Sequence, residues 1–133
     1  MRYVAFVHKD PDSIYGVSFP DFPGCIAAEA SLDAAMDSAT DALSLHVRAM
    51  EADGEPIPAP TPSEVIARNP EWAEEREGCM LVLIPLVRDL GSTTRINVSV
   101  DLGLLEAIDA AARQRRQTRS AFIASAVRKE LRA

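Results

Sequence analysis

The last part of the chain carries one strand pattern followed by two helix patterns, and this combination restricts the possible folds most strongly. Residues 95–100 alternate strictly between polar and apolar side chains, as in a half-buried strand. The apolar face carries Ile96, Val98 and Val100, and the polar face carries Arg95, Asn97 and Ser99. One strand has unpaired edges, and one strand with two helices buries too little apolar surface to fold alone. The pattern therefore predicts a homodimer through residues 93–133, in which two copies pair this strand antiparallel and interleave their helices.

Two amphipathic helix patterns follow the strand. Asp101 is a candidate N-cap for a helix that runs to about Arg113. Its inner face carries Leu105, Ile108 and Ala112. Thr118 is a candidate N-cap for a second helix. The apolar stripe of that helix consists of Phe122, Ile123, Ala126, Val127 and Leu131.

The charge distribution divides the chain at about the same place. Residues 1–91 hold 6 Lys and Arg against 16 Asp and Glu, a net charge of −10, whereas residues 92–133 hold 8 against 4, a net charge of +4. The overall net charge of −6 therefore conceals a basic C-terminal part. This asymmetry predicts different partners for the two parts, with nucleic acid contacting only the second. We place the domain boundary between residues 1–90 and residues 91–133.

The N-terminal part shows an α+β pattern. Strand patterns occupy residues 3–8, 14–19 and 25–29, and Ser31 is the candidate N-cap of a long helix that ends near Gly54. The buried face of that helix is predicted to carry Leu32, Ala35, Met36, Ala39, Leu43, Val47 and Met50.

Prolines separate this helix from the last strand pattern of the first part. The alternating prolines of residues 56–62 favour an extended connection. Residues 61–64, Thr-Pro-Ser-Glu, match a capping box with proline at the first helical position, which predicts a short helix to about Arg68. A buried strand at residues 79–87 completes a βββα(α)β order.

Neither a membrane span nor a secretory signal is predicted. The longest apolar run, within residues 79–87, is less than half of the roughly 20 residues that a membrane helix needs. Residues 3–7 are too short for the apolar part of a signal peptide. Cys25 and Cys79 are too few for a disulfide framework and lack metal-ligand spacing. We therefore expect a cytoplasmic protein with no membrane partner, no metal and no cofactor.

The strand, helix, helix order of residues 93–133 resembles the ribbon-helix-helix family of DNA-binding proteins. In that family a two-stranded ribbon from a dimer lies in the major groove, and its outward side chains touch base edges. The resemblance implies that Arg95, Asn97 and Ser99 read bases. It also implies that the start of the second helix holds a backbone phosphate. The matching residues there are Thr118, Arg119 and Ser120.

Two positions depart from the ribbon-helix-helix pattern. The family usually has glycine in the turn between the helices, where this chain has Arg-Arg-Gln at residues 115–117. Gly103 replaces a helix former in the first turn of the first helix, at a cost of at most about 1 kcal/mol. The apolar pattern of both helices is unaffected by either departure.

The N-terminal part resembles HicB-type antitoxins. The resemblance rests on residues 15–25, Tyr-Gly-Val-Ser-Phe-Pro-Asp-Phe-Pro-Gly-Cys, and on residues 30–35, Ala-Ser-Leu-Asp-Ala-Ala, which open the long helix. It implies a partial ribonuclease H-like fold that binds and blocks a HicA-type toxin, a small basic ribonuclease that cleaves mRNA. A domain of net charge −10 suits a basic partner. For the toxin contact we single out Phe19, Asp21, Phe22 and Cys25.

These patterns lead to one hypothesis and two alternatives. The hypothesis is an antitoxin that is not an enzyme, that neutralises a HicA-type toxin by direct binding and that represses its own operon by binding double-stranded operator DNA as a homodimer, with higher oligomers left open. The first alternative is a free-standing regulator whose N-terminal domain senses a small molecule or another protein. The second, an active nuclease, needs carboxylates that converge on two metals, whereas Asp10, Asp12 and Asp21 lie in predicted turns.

Overall fold

The computed structural model of the chain describes residues 1–88 and 90–132. The chain forms two units, Met1–Leu90 and Gly91–Ala133. The elements of the first unit are β1 (Arg2–His8), β2 (Tyr15–Phe19), β3 (Phe22–Glu29), α1 (Leu32–Ala52), α2 (Ser63–Arg68), a 3-10 turn (Pro70–Trp72), α3 (Ala73–Arg76) and β4 (Met80–Pro85). Those of the second unit are α4 (Leu102–Gln114) and α5 (Arg119–Arg132). The α+β composition expected of the first unit is confirmed.

The four strands form one antiparallel sheet in the order β3-β2-β1-β4. β1 pairs with β4 along its length, from Arg2 opposite Pro85 to Val7 opposite Met80. Phe19 lies opposite Phe22 across the turn between β2 and β3, whereas Ser18 pairs with Ile26, so β3 carries extra residues at this point. Gly24 lies in that irregular segment with a φ of 88°, a backbone conformation that glycine adopts without strain.

α1 covers one face of the sheet and forms the main core. Its N-cap is Ser31, whose hydroxyl accepts a hydrogen bond from the Ala34 N–H, as the sequence predicts. The predicted apolar stripe also packs as expected, with Ala35, Ala39, Leu43 and Val47 buried and the other members partly buried against the same core. The side chains that they meet come from Tyr3, Ala5, Val7, Val17, Phe19, Phe22, Cys25 and Ile84.

A smaller cluster covers the other face of β1. Val4 and Phe6 are buried there against Ile66 of α2, with Trp72 and Leu81 packed around them. The short helices at residues 63–76 therefore close this part of the sheet. The 3-10 turn and α3 were not predicted from the sequence, and Trp72 packs within this cluster.

The proline tract forms hydrogen bonds with Tyr3 of β1 and with Asp21 of the turn between β2 and β3. The Tyr3 hydroxyl donates a hydrogen bond of 2.6 Å to the carbonyl oxygen of Pro58. The Thr61 hydroxyl and N–H donate to the two carboxylate oxygens of Asp21, at 2.6 and 3.0 Å. The predicted capping box is therefore wrong, because the Thr61 side chain bonds to Asp21 rather than to the start of α2. Pro62 is the N-cap of α2, without a side-chain hydrogen bond.

The second unit consists of two capped helices. Asp101 accepts a hydrogen bond from the Leu104 N–H, and Thr118 accepts one from the Ala121 N–H, so both predicted N-caps are confirmed. Of the predicted inner face of α4, Ala112 is buried, whereas Leu105 and Ile108 are only partly covered. Much of the apolar surface of this unit is therefore open within one chain.

The predicted strand at residues 95–100 does not form within the single chain. These residues belong to no helix or strand and are exposed. A strand needs a hydrogen-bonded neighbour, and the chain offers none at this place among its described residues. The antiparallel pairing of two copies stays a prediction. No helix in the described part of the chain is long and apolar enough to cross a membrane.

Candidate nucleic-acid interface and partner surface

The three predicted base-reading side chains lie on exposed backbone. Arg95, Asn97 and Ser99 are exposed and make no hydrogen bond or ion pair with the described residues. Their apolar neighbours are also open, since Ile96 is 77% and Val98 is 69% exposed. The polar side of this segment is therefore free to bind a ligand, and its apolar side is not covered by any of the described residues.

The three predicted phosphate-binding residues have different environments. The Thr118 hydroxyl caps α5, and Ser120 is exposed in the first turn of that helix. Arg119 instead forms a two-pronged ion pair with Asp109 of α4, from Nε to Oδ1 at 2.8 Å and from Nη2 to Oδ2 at 2.9 Å. The hydrogen bond from Arg119 lowers the pKa of the Asp109 carboxyl. No sequence pattern indicates this pair, because ten residues and a turn separate its members.

The turn between α4 and α5 contains a residue in the left-handed conformation. Arg116 has a φ of 54°. Its N–H donates to the carbonyl oxygen of Arg113, and the N–H of Gln117 donates to that of Ala112, the two bonds of a Schellman motif. Arg116 thus occupies the position where such motifs usually have glycine. The guanidinium of Arg115 lies 5.3 Å from the ring centre of Phe122 on α5.

The predicted toxin-contact residues are engaged within the first unit. Phe19, Phe22 and Cys25 are at most 3% exposed, and both carboxylate oxygens of Asp21 accept hydrogen bonds from Thr61. The ring of Phe22 lies 4.7 Å from that of Tyr3 in an edge-to-face contact. Phe19, Phe22 and Cys25 thus belong to the core of the first unit, and their contact with a toxin stays a prediction.

An apolar side chain for which the sequence patterns predict no role is exposed next to Cys25. Ile26 on β3 is 71% exposed and lies on the sheet face opposite to Cys25. β3 is an edge strand, so one of its sides has no neighbouring strand in the described sheet. The period of two along a strand would have found this residue, because Cys25 and Ile26 must point to opposite faces.

Burial changes the acidity of two groups in the first unit. Burial raises the pKa of the Cys25 thiol to about 11. Burial also raises the pKa of the Tyr3 hydroxyl, and the negative charge of Asp21 adds to this effect. In the described part of the chain, no three Asp, Glu, His or Cys side chains are grouped so that they could hold a metal ion.

Comparisons with known proteins identify a matching family and similar solved structures. A family model described as a HicB-like antitoxin of bacterial toxin-antitoxin systems matches residues 3–127. The crystal structure of the antitoxin HicB of Burkholderia pseudomallei is similar with a TM-score of 0.58 and 33% identity, covering 96% of both chains. A chain in the HicA3 and HicB3 toxin-antitoxin complex is similar with a TM-score of 0.54 and 26% identity, covering 65% of this chain and 99% of that one.

A phage protein is related in sequence. A 14.9 kDa protein from the rep-hol intergenic region of Haemophilus phage HP1 is 35% identical over 109 residues, which cover 82% of this chain and 80% of the phage protein. The family match extends over both units and far more than half of the sequence. The chain therefore belongs to the HicB-like antitoxins of bacterial toxin-antitoxin systems.

Proposed function

We propose that the chain neutralises a HicA-type toxin through residues 1–90 and represses its own operon through residues 91–133, which bind operator DNA as a homodimer. The observation that carries this proposal is the match to HicB-like antitoxins over residues 3–127, because it spans both units. The charges of the two parts, −10 and +4 on either side of residue 91, suit a basic protein partner and an anionic nucleic acid respectively.

The structure of a HicA3 and HicB3 complex supports the toxin partner, since a chain of that complex is similar to this one. We assign the contact to the exposed part of the segment that follows β2, namely Pro23, Gly24 and Ile26. A large apolar side chain on an edge strand is the kind of group that anchors a protein interface. The neighbouring buried residues Phe19, Phe22 and Cys25 would stabilise the conformation of this segment.

Co-expression with the small ribonuclease encoded next to the chain tests the toxin partner. The wild-type chain should restore growth, and Ile26→Glu should fail to do so because a charge is placed in the centre of the contact. Leu45→Glu is the matched control, since Leu45 on α1 is exposed to a similar extent, 69% against 71%. If the wild type gives no rescue, the toxin partner is wrong and the free-standing regulator is favoured. If both variants rescue equally well, only the assigned surface is wrong.

The arrangement of residues 95–100 supports the DNA partner. Polar side chains that suit base edges alternate with apolar side chains that are exposed in the described part of the chain. Pairing with a second copy would bury the apolar side and present Arg95, Asn97 and Ser99 from both chains on one surface, which is the ribbon-helix-helix arrangement. Binding to the DNA upstream of the coding region, measured by fluorescence anisotropy at controlled salt, tests this proposal. Failure of the wild type to bind this duplex more tightly than a scrambled one would overturn it.

The sheet also supports the expected relation to the ribonuclease H-like fold. Three consecutive antiparallel strands are followed by a long helix, and the fourth strand returns beside the first, in the order β3-β2-β1-β4. We propose that the first unit is a partial version of that fold that serves for protein binding. Purified chain supplied with Mg²⁺ or Mn²⁺ should leave a labelled RNA intact, and metal-dependent cleavage would contradict a pure antitoxin role.

A further inference from the structure

The ion pair with Asp109 gives Arg119 a structural role within the second unit. Nε and one terminal nitrogen of its guanidinium point at the two oxygens of one carboxylate on α4, so the pair joins α4 to α5. The hydrogen bond that Arg119 donates to Asp109 raises the pKa of the guanidinium, whose charge is balanced by this carboxylate. A phosphate would have to displace that carboxylate to gain the same two hydrogen bonds. Arg119 is therefore a poor candidate for the phosphate contact.

The turn that precedes α5 holds arginines without such a partner. Arg115 and Arg116 are exposed, and neither of them forms an ion pair with a described carboxylate. The Phe122 ring lies beneath the guanidinium of Arg115. Contact with a ring leaves the edge of a guanidinium, which carries the N–H donors, free to meet a phosphate.

Arg116 is the more informative of the two because of its backbone. A φ of 54° disfavours every side chain relative to glycine, and the Schellman motif around Arg116 makes glycine the usual residue there. Strained positions that are kept in a protein point to a function for the side chain. The turn also leads into the N-terminus of α5, where the helix dipole favours an anion.

We propose that Arg116, assisted by Arg115, contacts the phosphate backbone of DNA on either side of the bases read by residues 95–99, and that Arg119 has a structural role instead. This inference rests on the DNA-binding function proposed above. DNA is favoured over a protein partner because arginines concentrate here without interleaved carboxylates, in the part of the chain whose net charge is +4. Phosphate contacts of this kind set affinity and register but carry no base specificity.

The test compares full-length variants on a labelled duplex of the DNA upstream of the coding region. Arg116→Gly should keep or raise the thermal midpoint, because glycine accepts the left-handed conformation. The same variant should bind this duplex about tenfold more weakly at 0.15 M salt, and the slope of log K against log salt should become shallower by about 2 for the two contacts of a dimer. Arg116→Lys should recover most of the affinity. Arg116→Asn is a second neutral variant, since asparagine also tolerates this backbone.

Two controls separate a turn contact from general charge. Arg128→Gln removes one positive charge per chain from α5, outside the turn, and should change the affinity by no more than about twofold. Asp109→Asn should lower the thermal midpoint without tightening DNA binding. If Asp109→Asn tightens binding severalfold, Arg119 is the phosphate contact and the inference is overturned.

Arg116 variants that bind with wild-type affinity and salt slope would also overturn it, while leaving operator binding itself intact. A wild-type chain that does not bind the duplex would instead overturn the proposed function and this inference together. Binding that weakens equally for Arg116→Gly and Arg128→Gln would show a diffuse charge effect and would contradict a contact at the turn.

Discussion

The two units differ in how completely one chain can bury its apolar side chains. The first unit has a core on both faces of its sheet, with α1 on one side and the α2 region on the other. In the described part of the second unit, Ala112 is the one buried hydrophobic residue. The large apolar side chains left open there are Ile96, Val98, Val100, Leu102, Leu104, Ile123, Val127 and Leu131. One copy of the chain therefore buries a core in the first unit, whereas the second unit keeps most of its large apolar side chains exposed.

The largest expected effect comes from a charge on the open side of the second unit. Val98→Glu should abolish the homodimer, because two desolvated carboxylates would cost several kcal/mol each at the paired strands. Sedimentation equilibrium should then show a monomer, and binding to the upstream duplex should be lost. Asn97→Ala is the control on the polar side and should keep the dimer. If the wild-type chain is monomeric at high concentration, dimerisation does not explain the exposed apolar side chains of the second unit.

A cavity in the first unit should act on that unit alone. Phe22→Ala removes a fully buried ring that contacts Tyr3, and we expect a loss of about 3–5 kcal/mol in the free energy of unfolding of this unit. Urea unfolding followed by circular dichroism measures the loss. Operator affinity at a temperature where the variant is still folded should stay within about twofold of wild type. A large change in affinity would show that the two units are energetically coupled.

A change in the polar face of the second unit should affect binding but not assembly. Arg95→Ala is expected to weaken binding to the upstream duplex by about 1–3 kcal/mol, because a base-reading arginine loses its hydrogen bonds. Fluorescence anisotropy at fixed salt measures the loss, and the thermal midpoint should not change, since Arg95 is exposed. Unchanged affinity at controlled salt would refute the base-reading role.

The smallest expected effect is a pH dependence confined to the first unit. The folded-state pKa of Cys25 is raised to about 11, so its thiol stays neutral in the folded chain at a pH where the unfolded chain already ionises. The unfolded state then binds fewer protons, and stability falls as the pH rises from about 9 towards 11. The contribution of this one thiol is about 1 kcal/mol at pH 10. Cys25→Ala should flatten the slope, and a slope that does not change would assign the effect to Tyr3, whose pKa is also raised.

Features set by neighbouring residues were predicted well from the sequence. The N-caps Ser31, Asp101 and Thr118 and the buried stripe of α1 were correct, because caps and helix faces depend on residues within a turn or two. Helix α1 ends at Ala52, close to the predicted end near Gly54.

Features set by distant residues were not predictable in the same way. Thr61 has the spacing of a capping box, but its hydroxyl meets Asp21, 40 residues away, and that contact takes precedence. Phe19 and Phe22 fit a motif that suggested a surface, yet the turn between β2 and β3 directs both rings into the core. The pair of Arg119 and Asp109 likewise depends on the way two helices meet. The environment of the candidate site residues therefore depends on contacts that the sequence patterns do not contain, and the roles of these residues stay predictions.

The open apolar side of the second unit has a consequence for gene control. If only the homodimer binds DNA, the fraction of promoter that is occupied at low protein concentration rises with the square of that concentration rather than in proportion to it. A small decrease in the protein concentration would then cause a large increase in transcription. Such a steep response would follow from dimerisation through the exposed apolar side of the second unit, without any additional effector.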